Sequence, residues 1–130
     1  MDLLNDIESR EDVALLVDSF YVKVRKDDLL GPIFNSIIKD WETHLSLLTD
    51  FWETNLFLIK KYTGNPLEKH VEVDNFHNNT ISELHFGTWI NLWFETIDSL
   101  FIGEKAQLAK NRARNMSTFL HLKMFESRNK

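Results

Sequence analysis

Phe86, Trp89, Ile90, Trp93, Ile97 and Leu100 recur at steps of three and four residues. That spacing lines one face of an α-helix and does not fit a strand, whose faces alternate every second residue. The same period runs through three other stretches: Val13, Leu16, Val17, Phe20 and Val24, with Tyr21 beside Phe20; Leu45, Leu48, Trp52, Leu56 and Ile59; and Leu108, Ala109, Ala113, Met116, Leu120 and Met124. Four Gly and two Pro are too few for the turns of a many-stranded protein. The chain is therefore expected to be all-α. Its 130 residues suit one domain with a real core and are too few for two ordinary ones, so residues 1–130 are read as a single unit.

Local signals set the expected boundaries. Ser9 followed by Asp12 can cap a first helix, and Arg25 and Lys26 suit its carboxyl end. Gly31-Pro32 breaks that helix, yet Ile33 and Phe34 are too apolar for an ordinary exposed loop and are expected to cover part of a cavity. Asp40 is expected to cap a second long helix from 41 to about 61. Thr80 with Glu83 forms a capping-box pattern before a third, and Gly103 can end it. The last helix is expected from 104 to about 125, with 126–130 as a frayed tail. Residues 71–79 have no clean period and read as an irregular loop or a brief strand, with Val71, Val73 and Phe76 packing inward.

Composition excludes several classes of function. There is no cysteine, which removes disulfides, thiolate zinc sites, iron–sulfur clusters and a covalently attached c-type haem. A net charge of −5 without a long basic block lacks the footprint of a nucleic-acid binder. No apolar run is long enough for a membrane span, and the first residues lack the parts of a signal peptide, so a cytoplasmic protein is expected. Ten Phe and four Trp are many for this length, and large rings suit a wide, flat cavity. Phosphate loops, nucleophile elbows and His-Glu-x-x-His are all missing from the sequence.

What can hold a metal is then nitrogen or oxygen. In Tyr62-Thr-Gly-Asn-Pro-Leu-Glu-Lys-His70, Gly64 can close one helix and Pro66 can open the next, which mounts His70 about one turn into a short helix. Imidazole is the commonest protein ligand for a transition metal. No two of the five histidines stand at i, i+3 or i, i+4, so a multi-histidine zinc or di-iron site is not supported. A lone histidine at a helix start, or a Tyr or Trp on an apolar face, is otherwise an ordinary structural residue.

Taken together, Phe20-Tyr21-x-Lys23-Val24-Arg25, Leu30-Gly31-Pro32-Ile33-Phe34-Asn35, Trp41-x-x-His44, Phe51-Trp52, Tyr62-x-Gly64-x-Pro66-Leu67-x-x-His70 and Phe86-x-x-Trp89 resemble the group III truncated haemoglobins. The resemblance covers about residues 13–120, in order, and the chain has no Gly-Gly pair of the kind usual in groups I and II. It implies a two-over-two helical sandwich around haem b, iron protoporphyrin IX. It makes His70 the iron ligand and Tyr21, His44 and Trp89 the polar residues on the opposite, reactive side. Phe34, Leu48, Phe51, Trp52, Phe76, Phe86, Trp93 and Met116 become walls of the haem pocket.

A tyrosine O–H and an indole N–H can donate to the partly negative oxygen of bound O₂, each contributing about 1.5–3 kcal/mol in a dry pocket. High O₂ affinity with slow release follows, which suits redox chemistry on nitric oxide or peroxide better than oxygen delivery. His44 is either a third donor or an entrance gate. The second nitrogen of His70 needs an acceptor; a backbone carbonyl at Pro66 or Leu67 is preferred over the carboxylates of Glu68, Glu72 or Asp74. With no flavin or nicotinamide fingerprint, turnover calls for an external reductase. A non-enzymatic sensor or reservoir for O₂ or NO is the alternative, and a monomer is the default.

Overall fold

A computed structural model describes residues 3–58 and 82–128. The expected turn at Gly64-Pro66, the helix start at His70, the loop of 71–79 with Phe76, and Thr80 lie outside the described residues.

Five helices are seen among the described residues: α1 (Arg10–Lys26), α2 (Gly31–Ile37), α3 (Trp41–Phe57), α4 (Glu83–Leu100) and α5 (Glu104–Arg128). None of them is long and apolar enough to cross a membrane. α1 packs against α3 on one side and α4 on the other, α5 closes the layer against α4 and α3, and α2 lies on α1. The result is the two-over-two sandwich.

α1 forms where its stripe predicts. Ser9 accepts the backbone N–H of Asp12 and caps its start. Val13, Leu16, Val17, Phe20 and Val24 are at most 1% exposed, and each such side chain stabilises the fold by about 1.5–3 kcal/mol. Phe20 is the hub: its ring meets Tyr21, Trp89 and Trp93 edge to face at 4.8, 5.5 and 4.9 Å. Trp93 stacks on Trp52 at 4.7 Å and donates its indole N–H to the Ala109 carbonyl at 3.2 Å. That bond satisfies the one polar atom of a ring that is otherwise buried among apolar groups.

Several boundaries differ from the sequence expectation. Gly31-Pro32 does not end α1, which stops at Lys26 with Asp27 as its cap; the pair opens a short helix that takes in Ile33 and Phe34 in place of a loop. Proline near the first position of a helix is pre-set for it, and Asp27 accepts the N–H groups of Leu29 and Leu30 ahead of it. Gly31 is needed here because a Cβ would lie 2.6 Å from the Arg25 carbonyl oxygen. α3 starts where Asp40 accepts from Thr43 N–H, but it stops at Phe57 instead of about 61. Leu58 closes it in the left-handed conformation with φ 58°. α4 is capped at Ser82, whose N–H donates to Nδ1 of His85 at 3.0 Å, so His85 does the work that a Glu does in the usual capping box. α5 runs past the expected 125 to Arg128.

The amino-terminal segment is a strap that the sequence did not announce. Asn5 pairs with Phe101 in an isolated bridge, Ile102 donates to the Asn5 carbonyl at 3.0 Å, and Ile7 is 1% exposed. Asp6 then accepts the backbone N–H groups of Lys105 and Ala106, both at 2.9 Å, and so caps α5 from across the chain. On the opposite flank, Arg10 bridges to Asp50 at 2.6 Å and to buried Glu53 at 3.0 Å, fastening the start of α1 to α3.

Candidate functional site

The carboxyl half of α1, the whole of α2 and the start of α3 meet at a cluster of rings. Tyr21 leaves α1 next to the hub Phe20 and is 7% exposed. Around it stand Phe34 of α2 at 5.9 Å, and Trp41 and His44 of α3 at 5.8 and 5.7 Å. Trp41 and His44 are themselves edge to face at 5.7 Å, so Tyr21, Trp41 and His44 form a closed triangle.

Three polar groups sit in this apolar cage. Burial pushes the Tyr21 phenol well above its ordinary range, against an opposing hydrogen bond with Trp89. An indole N–H can only donate, so Trp89 gives that bond and the Tyr21 oxygen accepts it. Among the described residues the Tyr21 hydroxyl donates to no acceptor. His44 is half-buried, burial holds its imidazole below the usual histidine range, and its Nε2 is a buried atom with no hydrogen-bond partner among the described residues. Since buried polar atoms are nearly always satisfied, that nitrogen beside the Tyr21 ring fits a site completed by a polar ligand. No carboxylate or thiolate joins the described cluster, so the donor set suits a small neutral or partly negative molecule.

The other sequence-predicted residues divide into groups. Phe51, Trp52 and Met116 line an open depression of ≈330 Å³ between α3 and α5, together with Asn55, Arg112, Asn115 and Phe119. Leu48, one turn after His44, is partly buried and packs against the core. Trp93 lies deeper, stacked between Trp52 and Trp89, at 4.7 and 6.2 Å. Phe86 stands near the start of α4 and stacks on His121 of α5 at 5.0 Å. His70 and Phe76 lie outside the described residues.

Trp41 and Arg25 are the residues that sequence reasoning did not single out as site residues. The Arg25 guanidinium lies over the Trp41 ring at 4.4 Å. One signal was readable: Trp41 is three residues before His44 and must share its helix face. Arg25 gave none, because it reaches Trp41 from another helix.

An all-helical sandwich with a tyrosine, a histidine and a tryptophan gathered in a ring-lined cage at the ends of its first helices defines a globin of the truncated class. No protein-family model matches the chain. A group 3 truncated hemoglobin of Campylobacter jejuni is 32% identical over 114 residues, which cover 85% of this chain and 86% of that protein. The crystal structure of a group III truncated hemoglobin from Campylobacter jejuni superposes with a TM-score of 0.83 at 28% identity, covering 94% of this chain and 95% of the other. The chain belongs to the group III truncated haemoglobins. A haem-binding, ligand-binding role comes with that family.

Proposed function

We propose that this protein holds haem b through His70, binds O₂ tightly and uses it for redox chemistry on a small molecule such as nitric oxide or peroxide. The observation that carries the reading is the buried Nε2 of His44, which has no hydrogen-bond partner among the described residues and whose ring stands edge to face with Tyr21. Phe34, Leu48, Phe51, Trp52, Phe76, Phe86, Trp93 and Met116 are the proposed walls.

Haem, when bound, supplies an iron that takes up a diatomic ligand and exchanges single electrons with it. The chain's own residues do the rest. Tyr21 donates its proton in a hydrogen bond to the ligand, Trp89 fixes the Tyr21 oxygen, and His44 offers either Nε2 as a further partner or a moving ring at the entrance. Phe20, Phe34 and Trp41 exclude water, which strengthens each of those bonds. In the dioxygenase version, O₂, NO and one electron give nitrate. The electron comes from an external reductase, since no dinucleotide-binding signature is present in the sequence. The protein is proposed to act as a cytoplasmic monomer.

Titration with haemin tests the cofactor first. The wild type is expected to develop a Soret band and His70→Ala to lose most of its haem affinity; a colourless wild type overturns the reading. Stopped-flow mixing of the oxygenated protein with NO then separates a dioxygenase from a reservoir, because a reservoir need not yield nitrate rapidly.

A further inference from the structure

We propose that Trp41 and Arg25 are positioning residues for His44, holding its imidazole turned into the ring cage. The inference rests on the haem reading only for its effect on ligands; the orientation itself is a property of these three side chains.

The buried His44 Nε2 has no partner among the described residues, which favours rotation of the ring toward water, so its inward position needs support from its neighbours. Two rings flank it. Tyr21 meets it edge to face at 5.7 Å and 88°, and Trp41 does so at 5.7 Å and 89°. Tyr21 is fixed deep in α1, whereas Trp41 is the first residue of α3 and only half-buried, so Trp41 needs support of its own. Arg25 supplies it by lying over the indole at 4.4 Å. The guanidinium is anchored in turn: its Nε–H donates to the Asn35 side-chain oxygen at 3.2 Å, and the Asn35 amide donates back to the Arg25 carbonyl at 3.2 Å. Asn35, Arg25, Trp41 and His44 thus form a chain of contacts from α2 through the end of α1 to the start of α3. Arginine suits this position better than lysine, since its planar group can stack on the indole while its Nε–H is engaged at the edge.

The test uses the haem-loaded protein as its carbon monoxide complex, which is diamagnetic. The readouts are the His44 ring-proton shifts by NMR, the pattern of C–O stretching bands in the infrared, and carbon monoxide association after flash photolysis. Trp41→Leu is expected to displace the His44 ring signals and to transfer intensity toward the C–O band of a ligand without polar contact. Association should speed up about two- to tenfold, the range that one edge-to-face ring contact supports. Arg25→Gln should move all three readouts the same way by less, with Arg25→Lys recovering part of the difference and Trp41→Phe most of it. Wild-type His44 shifts and C–O bands in folded, haem-loaded Trp41→Leu and Arg25→Gln overturn the proposal. If Trp41→Leu does not fold, Arg25→Gln alone decides. If the wild type takes up no haem, the haem reading fails, and the His44 shifts compared in the haem-free proteins still decide this one.

Discussion

Tyr21 carries one hydroxyl whose oxygen already accepts from Trp89, so what the phenol can still give is a single proton. Tyr21→Phe removes that proton and keeps the ring against Phe20, Phe34, Trp41 and His44. Stability should fall by about 1 kcal/mol, since the Trp89 N–H loses its acceptor, while dissociation of O₂ should accelerate about ten- to a hundredfold, the equivalent of one strong hydrogen bond. Displacement of O₂ by carbon monoxide in a stopped-flow instrument measures it, and an unchanged rate removes Tyr21 from the ligand-holding set. His44 carries a pH effect of known sign. Its folded-state pKa lies below the unfolded one because burial disfavours the imidazolium. The contribution is therefore full above the ordinary value of about 6.5 and is lost as pH falls through the lower folded value. His44→Leu should flatten that part of the stability profile in urea titrations run from pH 8 to pH 5.

Helix ends carry the next set of expectations. Burial pushes the Asp6 carboxyl up, but the N–H groups of Lys105, Ala106 and Ile7 and the nearby Lys105 charge outweigh it and hold the group below its ordinary range. Asp6→Ala should cost about 1–2 kcal/mol at pH 7, as loss of a good cap does. The gap from wild type should stay full above pH about 4 and close as pH falls through the lower folded pKa. Gly103→Ala should be at least as damaging, because φ is +145° and the new Cβ would lie 2.4 Å from the Asp6 carboxyl carbon. Leu58 offers the opposite case: it is 86% exposed and left-handed, so Leu58→Gly should raise stability by about 0.5–1 kcal/mol in urea.

These ends also show what a sequence can and cannot disclose. The α1 stripe was legible because burial alone dictates its period, and Ser9 and Asp40 because caps are chosen by local chemistry. α2 was hidden by Gly31-Pro32, a pair that reads equally as a break or as a beginning. His85 in place of a Glu hid the Ser82 cap, and Leu58 has nothing in its side chain that marks a helix stop. Asp6 and Arg25 act across 99 and 16 residues of chain, on Lys105 and Trp41, where no spacing rule reaches. In the candidate site, Tyr21, His44 and Trp89 were legible as a family pattern, whereas their support by Trp41 and Arg25 required the packing of α1 on α3.

At the scale of the whole molecule, the packing leaves the proposed ligand groups on helices that are held together by different means. α1, α3 and α4 share the core of Phe20, Trp52 and Trp93, so the cage around Tyr21 rests on a rigid base. α3 and α5 also touch, but an open depression lined by Phe51, Trp52 and Met116 lies between them. A large flat cofactor bound between helices adds its own contacts to the folded state and none to the unfolded chain, so it stabilises by mass action. At a free haem concentration a hundred times Kd the gain is about 2.7 kcal/mol, and about 4 °C per kcal/mol puts the rise in Tm near about 10 °C. Calorimetry of the haem-free and haem-loaded proteins should show that rise in the wild type and in Tyr21→Phe, which keeps the cofactor. His70→Ala should show much less of it at the same haemin concentration, because the substitution removes the proposed iron ligand. Equal rises in wild type and His70→Ala would mean that the cofactor is held by something other than that imidazole.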